Sequence, residues 1–147
     1  MSRRPPRWII DACTEYAKRL PRNFSLEFVH IAPAQDRMAP QARRRDEATR
    51  LLKRIGPELP LIALDVCGLE LSSAALAERL GGLQAEHQRI GLVIGGADGL
   101  GQAIVDRAQA RWSLSRLTLP HLLVQVVLAE QIYRAWTILE RHPYHRA

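Results

Sequence analysis

Cysteine is scarce in this chain of 147 residues: only Cys13 and Cys67 occur, with no CxxC pair and no Cys/His ligand spacing around either. That excludes a zinc ribbon and makes two reduced thiols in a cytoplasmic protein the expected state. A signal peptide is not expected either, because the basic residues 1–7 lead through Pro5 and Pro6 into a helical pattern, not an apolar stretch. No long apolar run is free of polar groups. Residues 122–139 come nearest, but they carry Gln125, Glu130, Gln131 and Arg134. These groups are costly in hydrocarbon, so a buried or interface helix is expected there and a membrane span is not. Nucleotide signatures fail as well: the glycines after Ile94 miss the GxGxxG spacing, and no Gly-Lys-Ser/Thr loop occurs. Ser113, Ser115, His121 and Asp98 build no GxSxG elbow. His142 and His145 have no third or fourth ligand near them, so no metal is expected.

What is present is ordinary for a globular protein, with 47% hydrophobic and 24% charged residues. The length fits a single domain over 1–147, large enough to bury a core. Lysine and arginine number 21 against 15 acidic residues, a net charge of +6. Such a balance suits a polyanionic partner, nucleic acid before membrane, although a solvated basic surface would read the same.

Hydrophobic spacing predicts an amphipathic helix over 8–20, carried by Trp8, Ala12, Tyr16 and Leu20. An alternating strand is expected over 25–31 and a loop over 32–40. Residues 41–55 read as a basic helix bearing Arg43, Arg44, Arg45, Arg50, Lys53 and Arg54, closed by Gly56 and Pro57. These arginines are candidates for RNA contact. Residues 61–66 form a nearly all-apolar run, as in a strand covered on both faces. Ser72 or Ser73 should cap a helix running to Leu80, where Gly81-Gly82 interrupts it. Another buried strand is expected over 90–94, a helix over 102–112, a short strand over 117–119 and a long final helix over 122–140. Alternating strands and helices imply an α/β domain with a mainly parallel sheet flanked by helices. Ligands in such sheets bind beyond the carboxyl ends of the strands.

Three segments are placed to carry chemistry. The run Ile94-Gly95-Gly96-Ala97-Asp98-Gly99-Leu100-Gly101 follows a strand, where glycines admit a ligand to the backbone; a plain strand-to-helix junction has the same composition. The run from Trp112 to His121 alternates polar and apolar residues before Pro120. It can wrap an adenine between apolar walls, or merely connect two elements. The ending His142-Pro143-Tyr144-His145-Arg146-Ala147 can stack on a base and touch phosphate, or fray.

Together these segments resemble the RlmH family of SPOUT methyltransferases. The family pattern is IGG-x-x-G, then W-S-x-S-x-x-T-x-P-H, then Q-x-Y-R-A-x-x-I-x-x-x-x-P-Y-H. Here it stands as IGGADGLG, WSLSRLTLPH and EQIYRAWTILERHPYHR, densely over the last third and more loosely from Trp8 through Asp65. The resemblance implies an α/β knot with a deeply threaded C-terminal segment, a rare exception to unknotted topology. It also implies a homodimer binding S-adenosylmethionine in the knot, with the active site near the dimer interface. The implied reaction is methylation of N3 of a pseudouridine in 23S rRNA on assembled 70S ribosomes. By matching motif positions, the cofactor site is expected at Leu64, Gly95, Leu114, Ser115, Arg116, Leu117, Thr118 and Leu119, with Gly96 and Pro120 beside them. His121, Tyr144, His145 and Arg146 are expected to orient the base and its phosphates or to assist removal of the N3 proton.

One departure stands out. Family members begin with an apolar strand and a Gly-Lys turn ahead of the segment matching Trp8, and residues 1–7 contain no such strand. The preferred expectation is a start site placed too far downstream. Loss of that strand should leave neighbouring backbone groups without partners. It also leaves room for a non-catalytic ribosome- or RNA-binding module of the same fold; a SPOUT enzyme acting on transfer RNA is the third alternative.

Overall fold

Leu61, Ile62, Ala63 and Leu64 are all buried, and alternate residues of this run face opposite sides of one sheet. The computed structural model describes residues 5–96 and 98–146. The basic residues 1–4, Ala97 in the glycine segment and the terminal Ala147 lie outside them. The elements run α1 (Arg7–Arg19), α2 (Pro40–Ile55), β1 (Leu61–Glu70), α3 (Ser73–Glu86), β2 (Gly91–Ile94), α4 (Gln102–Arg107), β3 (Ala110–Ser113) and α5 (His121–Leu139), with a final 3-10 turn over Pro143–Arg146. The sheet has the order β2-β1-β3, and both pairings are parallel.

Side-chain alternation along β1 assigns the two layers. Leu61 joins Val93, Ala48 of α2 and Ile104 of α4 on one face. Ile62 and Leu64 join Trp112, Leu76 and Leu80 of α3, and Leu128 and Ile132 of α5 on the other. Each large aliphatic group hidden this way contributes about 1.5–3 kcal/mol. α5 packs against both α3 and α1, where Ile9 and Cys13 meet Ala129. It is long and apolar enough to cross a membrane by length and composition, with 39% of that window buried inside the protein. Cys13 and Cys67 are both free thiols.

Four expected elements differ from the structure. The helix over 102–112 ends at Arg107, because residues 110–113 pair with β1 and place Trp112 opposite Leu64 in the core. Residues 117–119 form no strand: Leu117 is 70% exposed and no neighbouring strand is available to them. α3 continues through Gly81 and Gly82 to Glu86, since Leu80 and Leu83 pack on the core and Gly81 lies against Leu139 of α5. Packing here outweighs the low helix propensity of glycine. Ser72, not Ser73, caps the helix, its Oγ accepting from Ala75 N at 3.1 Å.

The fourth difference is the segment 25–31. Leu26 and Phe28 pack against the core while Ser25, Glu27 and Val29 are exposed, so the alternation is physically present. Yet among the described residues the backbone groups of 25–33 make no hydrogen bond within the protein. Extended backbone becomes a strand only by pairing. A cleft of about 1020 Å³ separates this segment from β2, the edge strand, and the wall of that cleft includes Pro5, Phe28, Leu92 and Ile94.

Candidate functional site

The parallel register gathers the expected cofactor residues at one end of the sheet. Leu64 lies opposite Ile94 on β2 and Trp112 on β3. Gly95 therefore emerges next to Leu64 from one side, and residues 114–119 emerge from the other. Sequence spacing could not show this, because it rests on two crossover helices returning the chain to the same edge.

Gly95 lies in a tight backbone approach: a Cβ there would come within 2.8 Å of the Gly99 carbonyl carbon and 3.0 Å of Leu100 N. The turn is closed by Gly99 N donating to Gly96 O at 3.0 Å, and Gly99 takes φ +82°, a conformation that favours glycine. Arg43 of α2 clamps the turn from outside, its Nε and Nη2 donating to Asp98 Oδ2 and Oδ1 at 2.8 and 3.1 Å. That bidentate pair holds the Asp98 carboxyl below its ordinary range. Arg43 thus supports the loop, while Arg45 and Lys53 are exposed on the same helix.

After β3, Ser113 Oγ donates to Ser115 O at 3.0 Å and Leu117 N donates to Ser115 Oγ at 2.9 Å, which folds the segment into two short polar turns. Arg116 Nε reaches Glu70 Oε1 at 2.8 Å, tying the loop to the end of β1. Between Leu64 and Leu69 the β1–β3 register shifts, and the irregular stretch is braced by Asp65. Its carboxylate accepts from Cys67 N at 3.0 Å and Arg111 Nη2 at 2.8 Å, and these donors hold it below the usual carboxylate range.

The expected RNA-facing residues do not all come together. His121 opens α5 and lines the cleft beside the 25–31 segment. The tail folds back instead onto the middle of α5, where the Tyr144 hydroxyl donates to Glu130 Oε1 at 3.2 Å and its ring meets Tyr133 edge-on at 4.7 Å. The nine helical steps from His121 to Glu130 correspond to about 14 Å along the axis. Burial, followed by the nearby Glu130 charge, pushes the Tyr144 hydroxyl up to about 12. At neutral pH it stays protonated and acts as a donor. His145 Nδ1 is buried without a hydrogen-bond partner, whereas Arg146 is exposed. His142 Nδ1 accepts from Tyr144 N at 3.2 Å, and no cluster of three metal-ligating side chains occurs among the described residues.

Two further residues at this end were not singled out as site residues from sequence. Glu130 and Arg134, four apart on α5, form an ion pair at 2.7 Å with side chains only 20% and 22% exposed. Their visible signal was an i,i+4 charge pair inside an otherwise apolar helix. Trp112 carries a buried indole N–H without an acceptor, beside a cavity of about 150 Å³ that Ser73, Ser113, Leu114 and Gln131 also line.

Fold and site together describe a parallel α/β domain whose post-strand loops meet at one sheet end. The sequence model of the family described as "Predicted SPOUT methyltransferase" matches residues 1–145, and the chain belongs to that family. More narrowly, it is 49% identical to Ribosomal RNA large subunit methyltransferase H of Nitrosococcus oceani, over all of this chain and 95% of that protein. Proteins of the same name from Methylococcus capsulatus and Saccharophagus degradans are 45% and 43% identical, each over 97% of this chain and 94% of theirs.

Proposed function

We propose that the chain is an S-adenosylmethionine-dependent methyltransferase that methylates N3 of a pseudouridine in 23S rRNA. In this reading it acts on assembled 70S ribosomes as a cytoplasmic homodimer, with residues 1–147 as one knotted domain. The observation that carries the reading is the register that brings Leu64, Gly95 and residues 114–119 to one sheet end, in a chain this similar to ribosomal RNA large subunit methyltransferases H.

The residues present fit the cofactor. Val66 and Leu117 are 65% and 70% exposed and offer apolar walls. The backbone amides of Arg116, Thr118 and Leu119 make no hydrogen bond among the described residues, which leaves them free for an acceptor. Gly95 lets its own turn close tightly against Gly99 and Leu100, and a side chain there would push that turn out of place. When bound, the cofactor supplies a methyl group already activated on a sulfonium sulfur, so positioning provides much of the acceleration.

On the RNA side, N3 must lose its proton as it takes the methyl group. His121 and His145 have the chemistry for accepting that proton, Arg146 for pairing with phosphate, and Tyr144 for orienting the base as a protonated phenol. His121 stands apart from the tail within one chain, so a second copy is the natural source of the complementary half.

Tritiated-methyl transfer from S-adenosylmethionine to 70S ribosomes, free subunits and transfer RNA tests the proposal. Incorporation should be confined to 70S ribosomes. No incorporation anywhere, despite cofactor binding by calorimetry, would make the chain an RNA-binding module without turnover, and labelled transfer RNA would redirect the substrate. His121→Ala and Arg146→Ala should both slow transfer; wild-type rates in both would remove their roles.

A further inference from the structure

The tail meets α5 through the Tyr133 and Trp136 rings, a hydrogen bond from His142 N to Thr137 O at 2.8 Å, and the Glu130 carboxylate. Glu130 Oε1 accepts from Arg134 Nε at 2.9 Å and from the Tyr144 hydroxyl at 3.2 Å, and lies 2.7 Å from Arg134 Nη2 in their ion pair. Its other oxygen accepts from Gln131 Nε2 at 2.7 Å. The Arg134 guanidinium also lies 5.2 Å from the centre of the Tyr144 ring, which seats that ring between a cation and the edge of Tyr133. The chain of hydrogen bonds continues. Gln131 Oε1 accepts from Ser73 Oγ at 2.7 Å, and Ser73, Gln131, Trp112 and Leu114 share the wall of the 150 Å³ cavity beneath the loop after β3.

A half-buried carboxylate with three hydrogen-bond donors is fully satisfied only while Arg134 and Tyr144 stay in place. Removing it frees the ring that pins the last turn, and that turn carries His145 and Arg146.

We propose that Glu130 is a positioning residue for the RNA-facing tail: it fixes Tyr144 and Arg134, and thereby sets where His145 and Arg146 are presented to the substrate. The effect is on substrate engagement, not on the cofactor, because Glu130 reaches the loop after β3 only through Gln131 and Ser73. The part concerning RNA rests on the methyltransferase reading above; the anchoring of the tail does not.

Two measurements on the full chain separate the two. Chymotrypsin cleavage after Tyr144, followed by mass spectrometry, reads the anchoring without any activity. Glu130→Ala should accelerate it roughly tenfold, as should Tyr144→Phe less strongly, since a charged hydrogen bond is lost. Methyl transfer to 70S ribosomes should show a roughly tenfold lower kcat/KM in Glu130→Ala, with cofactor affinity by calorimetry within twofold of wild type. The double variant should be no worse than Glu130→Ala alone, because both act through one contact. Tyr144→Phe leaves the α5 ion pair intact, so it answers the question even where Glu130→Ala folds poorly. Unchanged cleavage in both variants would overturn the proposal. So would a normal kcat/KM, a loss of cofactor affinity that accounts for the defect, or additive effects in the double variant. Faster cleavage with no methyl transfer by the wild-type chain would support the anchoring and sink the methyltransferase reading.

Discussion

Replacing Gly95 with alanine tests the link between the sheet register and the candidate cofactor site. The added Cβ would sit 2.8 Å from the Gly99 carbonyl carbon, 3.0 Å from Leu100 N and 3.2 Å from Gly99 Cα. Comfortable carbon contacts begin near 3.5 Å, so the turn must move by roughly half an ångström or more. All three obstructing atoms are backbone, in a turn already tied by Gly99 N to Gly96 O and by Asp98 to Arg43. No side chain can swing aside. Overpacking of this kind costs about 1–3 kcal/mol. For a domain of this size that is a fall in Tm of about 3–12 °C. In the proposed function the displaced turn is one wall of the cofactor site, so affinity for S-adenosylmethionine should fall about tenfold, corresponding to about 1.4 kcal/mol. Differential scanning fluorimetry and isothermal titration calorimetry check both numbers. Gly96→Ala is the control, since its Cβ would meet only the end of the Glu47 side chain at 3.3 Å. Wild-type melting and affinity in Gly95→Ala would refute the reasoning, as would equal damage from Gly96→Ala.

Two other predictions follow from local features. Asp65 is held below its ordinary range by Cys67 N and then Arg111, so its contribution is present above the unfolded carboxylate pKa, near pH 4, and is lost as pH falls through its lower folded value. Asp65→Asn should therefore lower Tm at pH 7, and the gap to wild type should close as pH drops toward 3; a pH-independent gap would remove the charge from the explanation. Hydrogen exchange should be fast at the amides of 25–31 and slow at 61–64, because the first segment is extended without backbone partners and the second is paired on both sides. Equal protection of the two would show that the cleft beside β2 is closed in solution.

The helices carried their own signals. The spacing of Trp8, Tyr16 and Leu20 and the apolar length of 122–139 each survive as α1 and α5 within a residue or two. The run 61–66 read as a doubly covered strand; its first four residues are the buried centre of the sheet, whereas Val66 is exposed. Local pattern failed where pairing decided. Residues 110–113 continue an apparently helical stretch and become β3 because β1 offers them an edge; residues 25–31 alternate well and stay unpaired because no strand lies beside them. Strand identity is a property of two segments, so one segment's composition cannot settle it.

By itself the sequence determined the α/β class, the basic character and the family resemblance concentrated between Ile94 and Arg146, and it nominated the residues of both candidate sites. Only the tertiary structure decided how they are grouped. Parallel register brings Leu64, Gly95 and the loop after β3 to one sheet end, and the fold-back of the tail sets Tyr144 on Glu130 while leaving His121 at the far end of the helix. Those groupings depend on contacts between residues far apart in the chain, and such contacts exist only once the crossovers and the packing of α5 have closed the fold.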